Sequence, residues 1–249
     1  MKKLIKVIII IIAIAIMSYS GYQLLDIYSE YAEGDKIYDD AASEYVVVNF
    51  NNKEESTNQN KPSILVDFDS LLAKNQDVVG WIYSENTPIN YPIVQSQDND
   101  YYLRRLLDRT YNIAGSIFMD YRNSPDFSDF NTIIYGHNLK TDTMFGSLKE
   151  YSSQEYYEKH PIIYLSTPEG DYAIELISSY RTDIDDDIYI LPQSEEELED
   201  LYHRVAQLSN FNADSSLQAG DRLVTLSTCS DYGDDDVRYI LIGKLISIR

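Results

Sequence analysis

The sequence predicts a mainly β domain with helical insertions, preceded by an N-terminal transmembrane helix. Strand-like runs outnumber helix-like runs after residue 61, neighbouring strands follow one another directly, and an apolar segment begins near Met1. Consecutive strands favour a mostly antiparallel barrel over alternating βαβ units. Residues 62–249 are enough for one core of ordinary size, so we assign them to a single domain.

The apolar segment predicts a membrane anchor in residues 1–25. Residues 4–25 contain Lys6 as their only charge, and a helix of about 20 such residues crosses a bilayer. Lys2, Lys3 and Lys6 come before the apolar run, which predicts a cytoplasmic N-terminus and an extracellular domain. The expected location is the cell membrane, as a single-pass protein held there by its N-terminal helix.

The alternative to an anchor is a cleavable signal peptide. The strictly apolar core, residues 7–17, is only 11 residues long, and residues 18–20 resemble a small-x-small cleavage site. We favour the uncleaved anchor because Tyr22, Leu24 and Leu25 extend the helical segment. Both alternatives predict that the rest of the chain is exported.

Residues 26–61 are acidic and rich in asparagine, with too few apolar side chains to form a core. Their first part is predicted to continue the helix out of the membrane, and residues 51–61 to form a flexible spacer. We therefore predict a stalk or linker that holds the domain away from the lipid surface.

The elements of the domain are predicted from periodicity and turn residues. Apolar spacing predicts helices at residues 63–74, 99–107, 144–157 and 195–208. β-Branched and aromatic runs predict strands at residues 78–83, 91–94, 115–120, 131–137, 162–166, 171–181, 223–229 and 237–246. Trp81 is expected to be a core residue. The last helix has acids in its first turn and one apolar stripe, formed by Leu198, Leu201, Val205 and Leu208.

The charge balance argues against two classes of function. The chain has 20 basic and 41 acidic residues, and a surface this acidic repels phosphate backbones, so we expect no nucleic-acid partner. The acidic runs 183–187 and 234–236 lack the alternating ligands and fixed glycine of a calcium loop, and solvated loops are the better interpretation. With one cysteine and no His-x-x-His pair, a zinc site is not supported, and we expect no metal or cofactor.

The only cysteine, Cys229, is the candidate nucleophile. It ends a strand before a polar loop, and Arg238 begins the next strand, so a hairpin would bring the two together. A nearby cation lowers the pKa of a thiol, and an unpaired thiol in an exported protein is a liability unless it is used. The alternative is a small buried hydrophobic residue without a chemical role.

The side-chain period of a strand places Cys229 on one face with Ser227 and Thr225. Val224 and Leu226 are predicted to point the other way. The candidate nucleophile therefore lies on the more polar face of its strand.

His137 is the candidate general acid and base, because a cysteine that cleaves amides needs an acid to protonate the leaving amine. It ends a predicted strand after Gly136, at a position where sheets present reactive groups. His160 lies at a helix-to-strand junction and His203 lies within a helix, and surface roles are expected for both. Arg238 cannot transfer protons, but it can stabilise an oxyanion or hold substrate carbonyls.

These residues resemble a known family, the sortases, which are membrane-anchored cysteine transpeptidases of Gram-positive bacteria. The similarity rests on T-L-S-T-C at residues 225–229 followed by Arg238, on Y-G-H at residues 135–137, and on the N-terminal anchor. Class B in particular is indicated by four further segments and by the helix before the cysteine strand. These segments are G-W-I-Y at 80–83, I-N-Y-P-I-V-Q at 89–95, F-M-D-Y-R-N at 118–123 and M-F-G-S-L at 144–148.

The resemblance implies an eight-stranded sortase β-barrel and a role for each site residue. Cys229 would be the nucleophile, His137 the general acid and base, and Arg238 the oxyanion-stabilising or substrate-positioning residue. Three neighbours are expected to bind substrate: Thr228, Ser227 and Tyr135. The implied partners are secreted proteins with a C-terminal sorting signal, cleaved after Thr through a thioacyl-enzyme, and an amine of a peptidoglycan precursor or wall peptide.

Two other functions stay open on the sequence. One is a cysteine hydrolase that uses the same groups with water as the acceptor, and the other is a non-enzymatic tethered surface module. Asp231 stands where some class B members have an auxiliary acid, but a solvated aspartate in an acidic loop is the simpler interpretation.

Overall fold

The computed structural model describes residues 2–49, 63–228 and 236–248. The helices are α1 (Lys2–Tyr45), α2 (Phe68–Lys74), α3 (Gln154–Lys159) and α4 (Glu195–Leu208). The strands are β1 (Val46–Asn49), β2 (Ser63–Val66), β3 (Val78–Tyr83), β4 (Asn90–Val94), β5 (Ile117–Met119), β6 (Asn131–Gly136), β7 (Ile162–Thr167), β8 (Gly170–Asp183), β9 (Leu223–Thr228) and β10 (Val237–Ser247). Short 3-10 helices occupy Tyr102–Arg104, Gly146–Ser152 and Asp187–Tyr189.

Eight strands close into a barrel in the order β10-β8-β7-β3-β4-β5-β6-β9. The ladders β4–β5 and β6–β9 are parallel, and the other ladders of the barrel are antiparallel. The predicted fold, a mainly β, eight-stranded barrel with helical insertions, is therefore confirmed. Strands β1 and β2 form a separate two-stranded sheet.

Two hydrophobic clusters hold the domain together. The larger one fills the barrel and includes Trp81, which is fully buried as predicted. The second lies outside the barrel wall, where Leu201 and Val205 of α4 pack with Ile240 and other wall residues. Leu208, the last residue of the predicted apolar stripe, is exposed instead. The chain between β8 and β9 thus covers the outer face of the sheet near β9.

Helix α1 runs for 44 residues from the apolar segment to the domain. It is long and apolar enough to cross a membrane once, in agreement with the predicted anchor. Its second half contributes Gly34, Tyr38 and Ala41 to the buried interior. Residues 26–61 were predicted to have too few apolar side chains to form a core, and the helical part instead adds these three residues to the interior of the domain. The division of the chain after residues 25 and 61 stays a prediction.

The predicted helix at residues 63–74 is correct only in its second half. Residues 63–66 form β2, which pairs antiparallel with β1. Asp67 then caps α2, because its carboxylate accepts the amide hydrogen of Ser70 at 3.1 Å and the hydroxyl hydrogen at 2.7 Å. Residues 63–66 are extended because they pair with β1. The local spacing of apolar residues does not reveal a partner that is distant in the sequence.

The helix predicted at residues 99–107 is wrong apart from one 3-10 turn. Asp98 accepts the backbone N–H groups of Asp100 and Tyr101, which starts that turn. Arg105 then bridges to Tyr111 in antiparallel fashion, so the chain turns back and the helix cannot continue. The predicted helical stretch 144–157 is confirmed in part, as the 3-10 helix Gly146–Ser152 followed by α3 from Gln154.

Candidate active site

Strands β6 and β9 lie side by side in the barrel wall and end at the same edge. Their pairing is parallel, with Tyr135 opposite Ser227 and Gly136 opposite Thr228. Because parallel strands run in one direction, the carboxyl ends of β6 and β9 lie at the same edge of the sheet. His137 follows Gly136 directly, one residue beyond the end of β6.

Strand β10 flanks β9 on its other side and begins at the same edge. The two strands are antiparallel, as the predicted hairpin requires, and the amide of Tyr239 donates to the hydroxyl oxygen of Thr228 at 2.9 Å. Arg238 precedes Tyr239 in β10. The end of β9 therefore has His137 beside one neighbouring strand and Arg238 in the other. Adjacent strands are about 4.8 Å apart, so the two backbones are separated by roughly 10 Å.

The imidazole of His137 is fixed by contacts with two neighbouring segments. Its Nε2 atom lies 2.6 Å from the carbonyl oxygen of Leu103. A carbonyl oxygen only accepts hydrogen bonds, so Nε2 carries the hydrogen and Nδ1 is the ring atom available for proton exchange. Gly115 lies against the ring with φ of +59°, and a Cβ atom there would be 3.0 Å from Cδ2 of His137. Neither the backbone conformation nor the space at Gly115 suits a side chain.

The surroundings of His137 lower its pKa. Burial is the main cause, because it disfavours the charged imidazolium, and the positive charge of Arg104 acts in the same direction. The hydrogen bond to Leu103 favours the charged form but does not outweigh burial. At neutral pH the imidazole is therefore mostly uncharged, with its proton on Nε2.

Cys229 and Asp231 lie outside the described residues, and the roles predicted for them stay predictions. The residue before Cys229 is Thr228, whose backbone pairs with Gly136 of β6 and whose hydroxyl oxygen accepts from Tyr239 of β10. Arg238 is partly exposed, and one of its guanidinium nitrogens donates to the carbonyl oxygen of Val237 at 2.9 Å.

The outer face of the β6–β9 pair carries a polar and aromatic network. The hydroxyl groups of Ser227 and Tyr189 are 2.9 Å apart, and the ring of Tyr189 stacks on Tyr135 with centroids 6.3 Å apart. Tyr135 donates to the Asp120 carboxylate at 2.9 Å, and Arg122 donates to it at 2.8 Å. Burial alone would raise the pKa of Asp120, but these hydrogen bonds and the charge of Arg122 lower it overall.

Three residues of this region were predicted to bind substrate. Ser227 and Thr228 have no exposed surface, whereas Tyr135 is partly exposed. Ser227 is engaged with Tyr189, and Thr228 accepts from Tyr239. The substrate-binding role of all three stays a prediction, and Tyr135 is the one whose surface a ligand can reach.

Asp186 fixes the segment that carries Tyr189. It pairs with Arg204 of α4 at 2.6 Å and accepts the amide hydrogen of Ile188 at 2.7 Å. The acidic run 183–187 was expected to be a solvated loop, and this expectation is wrong for Asp186. The pairing attaches the 3-10 helix to α4 beside the outer face of the sheet.

The other two histidines have different surroundings from His137. The Nδ1 atom of His160 lies 3.0 Å from the carbonyl oxygen of Glu85, and His203 is an exposed residue of α4 near Glu199. Within residues 2–49, 63–228 and 236–248, no three His, Asp or Glu side chains are grouped to hold a metal ion. The expectation that no cofactor is needed stays a prediction.

Sequence reasoning missed Leu103, Tyr189 and the Asp120–Arg122 pair. Leu103 acts through its backbone carbonyl, which every residue has, so no residue type could have indicated it. Arg122 lies two residues after Asp120, within a segment quoted only for its family resemblance. Tyr189 had no local signal, because its contact with Ser227 spans two distant elements.

Comparison with known proteins gives a consistent result. A family model described as the sortase domain matches residues 82–246, which include the positions of Cys229, His137 and Arg238. Sortase B of Staphylococcus aureus is 31% identical over 251 residues, covering 100% of this chain and 99% of that protein. Sortase B of Listeria monocytogenes is 34% identical over 241 residues, covering 95% of each chain.

A solved structure extends the similarity to the fold. The Staphylococcus aureus sortase B–substrate complex matches this structure with a TM-score of 0.70 and 36% identity. The match covers 73% of this chain and 85% of that one.

Proposed function

The chain belongs to the class B sortases, a family of cysteine transpeptidases, and from this premise we propose how its residues carry out the reaction. We propose that it cleaves the C-terminal sorting signal of secreted proteins after Thr and joins the new carboxyl end to a cell-wall peptide amine. Cys229 is the nucleophile, His137 the general acid and base, and Arg238 the residue that stabilises the oxyanion. A substrate complex of a relative supports a sorting-signal ligand for this chain too.

The observation that carries the proposal is the register around the end of β9. Thr228 pairs with Gly136 on one side and accepts from Tyr239 on the other. In the sequence, Cys229 follows Thr228 of β9, His137 follows Gly136 of β6, and Arg238 precedes Tyr239 of β10. The register of three adjacent strands therefore supports a site that combines a thiol, an imidazole and a guanidinium.

The first half-reaction forms the thioacyl-enzyme. Nδ1 of the neutral His137 first accepts the thiol proton of Cys229. The resulting thiolate attacks the carbonyl carbon of the Thr residue, a C–S bond forms, and negative charge moves to the carbonyl oxygen. Arg238 stabilises this oxyanion, since its charge does not titrate in the working range. The C–N bond then breaks, and the proton on Nδ1 of His137 passes to the departing amine.

The second half-reaction transfers the acyl group to the acceptor amine. The amine nitrogen attacks the thioester carbon while the neutral Nδ1 atom of His137 accepts its proton. The C–S bond breaks, an amide forms, and the departing thiolate of Cys229 regains its proton from Nδ1 of His137. In both half-reactions Leu103 keeps the other ring nitrogen protonated, so only one atom of His137 exchanges protons.

The N-terminal helix gives the reaction its location. We propose that residues 2–25 cross the cell membrane once, with the N-terminus in the cytoplasm and the barrel outside. Enzyme, membrane-held sorting signal and lipid-linked wall precursor then share one surface, which raises their effective concentrations.

The test is amine-dependent coupling. The full chain in lipid nanodiscs is incubated with an Asn-Pro-x-Thr-x peptide, the signal type that the class B resemblance implies, with and without triglycine. The proposal predicts a new amide product that contains triglycine and ends the donor at Thr. Hydrolysis at the same rate in both samples, with no coupled product, would instead identify a cysteine hydrolase.

A pair of variants separates catalysis from folding. Cys229→Ala should abolish cleavage and coupling, because no other thiol is present in the chain. The matched control is Ser209→Ala, a similar small deletion at the end of α4, which should keep full activity. Turnover retained by Cys229→Ala would refute the assignment of the nucleophile.

A further inference from the structure

The support of His137 extends to a residue outside the barrel, Tyr38 of α1. We propose that Tyr38 is a positioning residue that holds the segments on both sides of the imidazole, so that the anchor helix forms part of the active-site framework. The inference rests on the proposed role of His137 as the proton-transferring residue. Its structural part, however, is tested without catalysis.

The first connection runs from Tyr38 to the segment against the ring. The hydroxyl of Tyr38 donates to the carbonyl oxygen of Gly115 at 2.7 Å and lies 2.8 Å from the hydroxyl oxygen of Ser116. Gly115 lies against Cδ2 of His137, and a Cβ atom there would be 2.5 Å from the carbonyl oxygen of Leu103, which accepts from Nε2. One phenol therefore fixes the segment that lies against the imidazole.

The second connection runs to the segment after His137. The ring of Tyr38 packs edge-on against Tyr91, with centroids 5.4 Å apart and an angle of 84°. The hydroxyl oxygen of Tyr91 accepts the amide hydrogen of Met144 at 3.0 Å. The next residue, Phe145, donates its amide hydrogen to the carbonyl oxygen of His137 at 2.9 Å. The segment at Gly115 thus contacts Tyr38 directly. The segment at Met144 and Phe145, which binds the backbone carbonyl of His137, is connected to Tyr38 through Tyr91.

The rest of α1 is docked independently of the Tyr38 hydroxyl. The side-chain amide of Asn112 donates to the carbonyl oxygen of Glu30 at 2.9 Å, and the amide of Ile113 donates to the Glu30 carboxylate at 3.3 Å. Gly34 allows close approach to Ala114, since a Cβ atom there would lie 3.0 Å from the Ala114 methyl. Removal of one hydroxyl should therefore leave the helix in place.

Helix continuity links this support to the membrane anchor. Tyr38 lies 13 residues beyond Leu25, the last residue of the apolar segment, which corresponds to about 20 Å along a helix. No break interrupts the helix between them. The membrane anchor and Tyr38 consequently belong to one continuous helix.

The decisive variant is Tyr38→Phe in the full chain, held in lipid nanodiscs. It removes the hydrogen bonds to Gly115 and Ser116 and keeps the ring that packs on Tyr91. The matched control is Tyr28→Phe, the same chemical change at an exposed position of the same helix. Histidine-labelled NMR follows the titration of His137, with assignments from variants of the other two histidines.

The expected result has two parts. In Tyr38→Phe the segment at Gly115 loosens, water reaches the imidazole, and the pKa of His137 rises toward its ordinary value. Coupling of the Asn-Pro-x-Thr-x peptide to triglycine should lose about three- to tenfold in kcat with KM within about twofold, because misplaced groups slow chemistry more than binding. Tyr28→Phe should match the wild-type chain in both measurements.

Three outcomes are informative. An unchanged His137 titration and kcat in Tyr38→Phe would overturn the proposal, as would an activity loss that only follows the fraction of unfolded protein. Should Tyr38→Phe fold poorly, Tyr91→Phe tests the second connection, since it removes the acceptor of the Met144 amide, and the same shift in His137 is expected. Absence of coupling by the wild-type chain would refute the proposed function and leave the NMR test of positioning valid.

Discussion

The two faces of strand β9 have different partners, although all six of its residues are buried. Val224 and Leu226 belong to the hydrophobic cluster inside the barrel. On the outer face, Thr225 donates to the side-chain oxygen of Asn131 at 2.9 Å, and Ser227 lies 2.9 Å from the hydroxyl of Tyr189. The apolar face stabilises the barrel, and the polar face leads to the edge where the proposed chemistry takes place.

This difference teaches that complete burial does not identify a strand as purely structural. On the outer face, Leu223 at the start of the strand packs in the second hydrophobic cluster, whereas Ser227 near the proposed nucleophile contacts the hydroxyl of Tyr189. The apolar residues of the inner face pack in the cluster that fills the barrel. Changes at the outer edge should therefore affect catalysis with little effect on folding, and changes on the inner face should do the reverse.

The largest effect is expected from His137→Gln. Without a group that can donate and accept a proton, kcat/KM for peptide coupling should fall by about 10³-fold or more. The melting temperature should change little, because glutamine can still donate to the Leu103 carbonyl. Steady-state kinetics together with thermal unfolding measure both quantities.

The control for that variant is His203→Gln, which changes an exposed residue of α4. It should match the wild-type chain in kcat/KM and melting temperature. Full activity in His137→Gln would show that His137 does not transfer protons in the reaction. Another group would then have to protonate the leaving amine.

A smaller loss is expected from Arg238→Lys. Lysine keeps the charge but lacks the planar, multiple-donor guanidinium, so oxyanion stabilisation should weaken and kcat should fall by about 10²-fold. The comparison variant is Arg181→Lys, an exposed residue of β8 opposite Tyr239. Equal activity of the two lysine variants would mean that charge alone, or neither guanidinium, matters to the reaction.

The inner face is tested by Leu226→Ala. Loss of a fully buried leucine from the barrel should lower the free energy of unfolding by about 2–5 kcal/mol. Activity per folded molecule should stay within about threefold of wild type. Chemical denaturation measures the free energy of unfolding, and kinetics normalised to the active fraction measure the activity per folded molecule. A large loss of activity in protein shown to be fully folded would contradict the division between the faces.

The smallest effect is a shift in pH dependence. Burial lowers the pKa of His137 below its ordinary value of about 6.5, and below that pKa the thiol–imidazole pair holds two protons and cannot react. The acid limb of kcat/KM should therefore have its midpoint below pH 6.5. The neutral form is the one favoured by folding, so stability is also lost as pH falls through this range, and rates must be normalised to folded protein. A midpoint above pH 7 would contradict the lowered pKa of His137.

The sequence predicted one side of the candidate site better than the other. The approach of β9 and β10 was foreseeable because a hairpin joins strands that are close in the chain. The parallel pairing of β6 with β9 was not, since it joins Gly136 to Thr228, which are 92 residues apart in the sequence. Long-range pairing depends on the closure of the whole barrel, which local propensity does not encode.

The second half of α1 shows a different kind of failure. Its acidic composition hid the helical stripe of Gly34, Tyr38 and Ala41, at spacings of four and three residues. That spacing is the pattern of a docked helix face, and it was visible in the sequence. Composition averaged over residues 26–61 concealed it, because a single narrow face is enough to dock a helix.

The most direct test of the proposed chemistry is the mass of residue 229 during turnover. The chain is incubated with an Asn-Pro-x-Thr-x peptide without an added amine, quenched with acid and digested for mass spectrometry. The account predicts that Cys229 carries the donor fragment ending at Thr, and that triglycine added before the quench removes it. Substrate cleavage without any acyl group on Cys229 at any time would contradict the account.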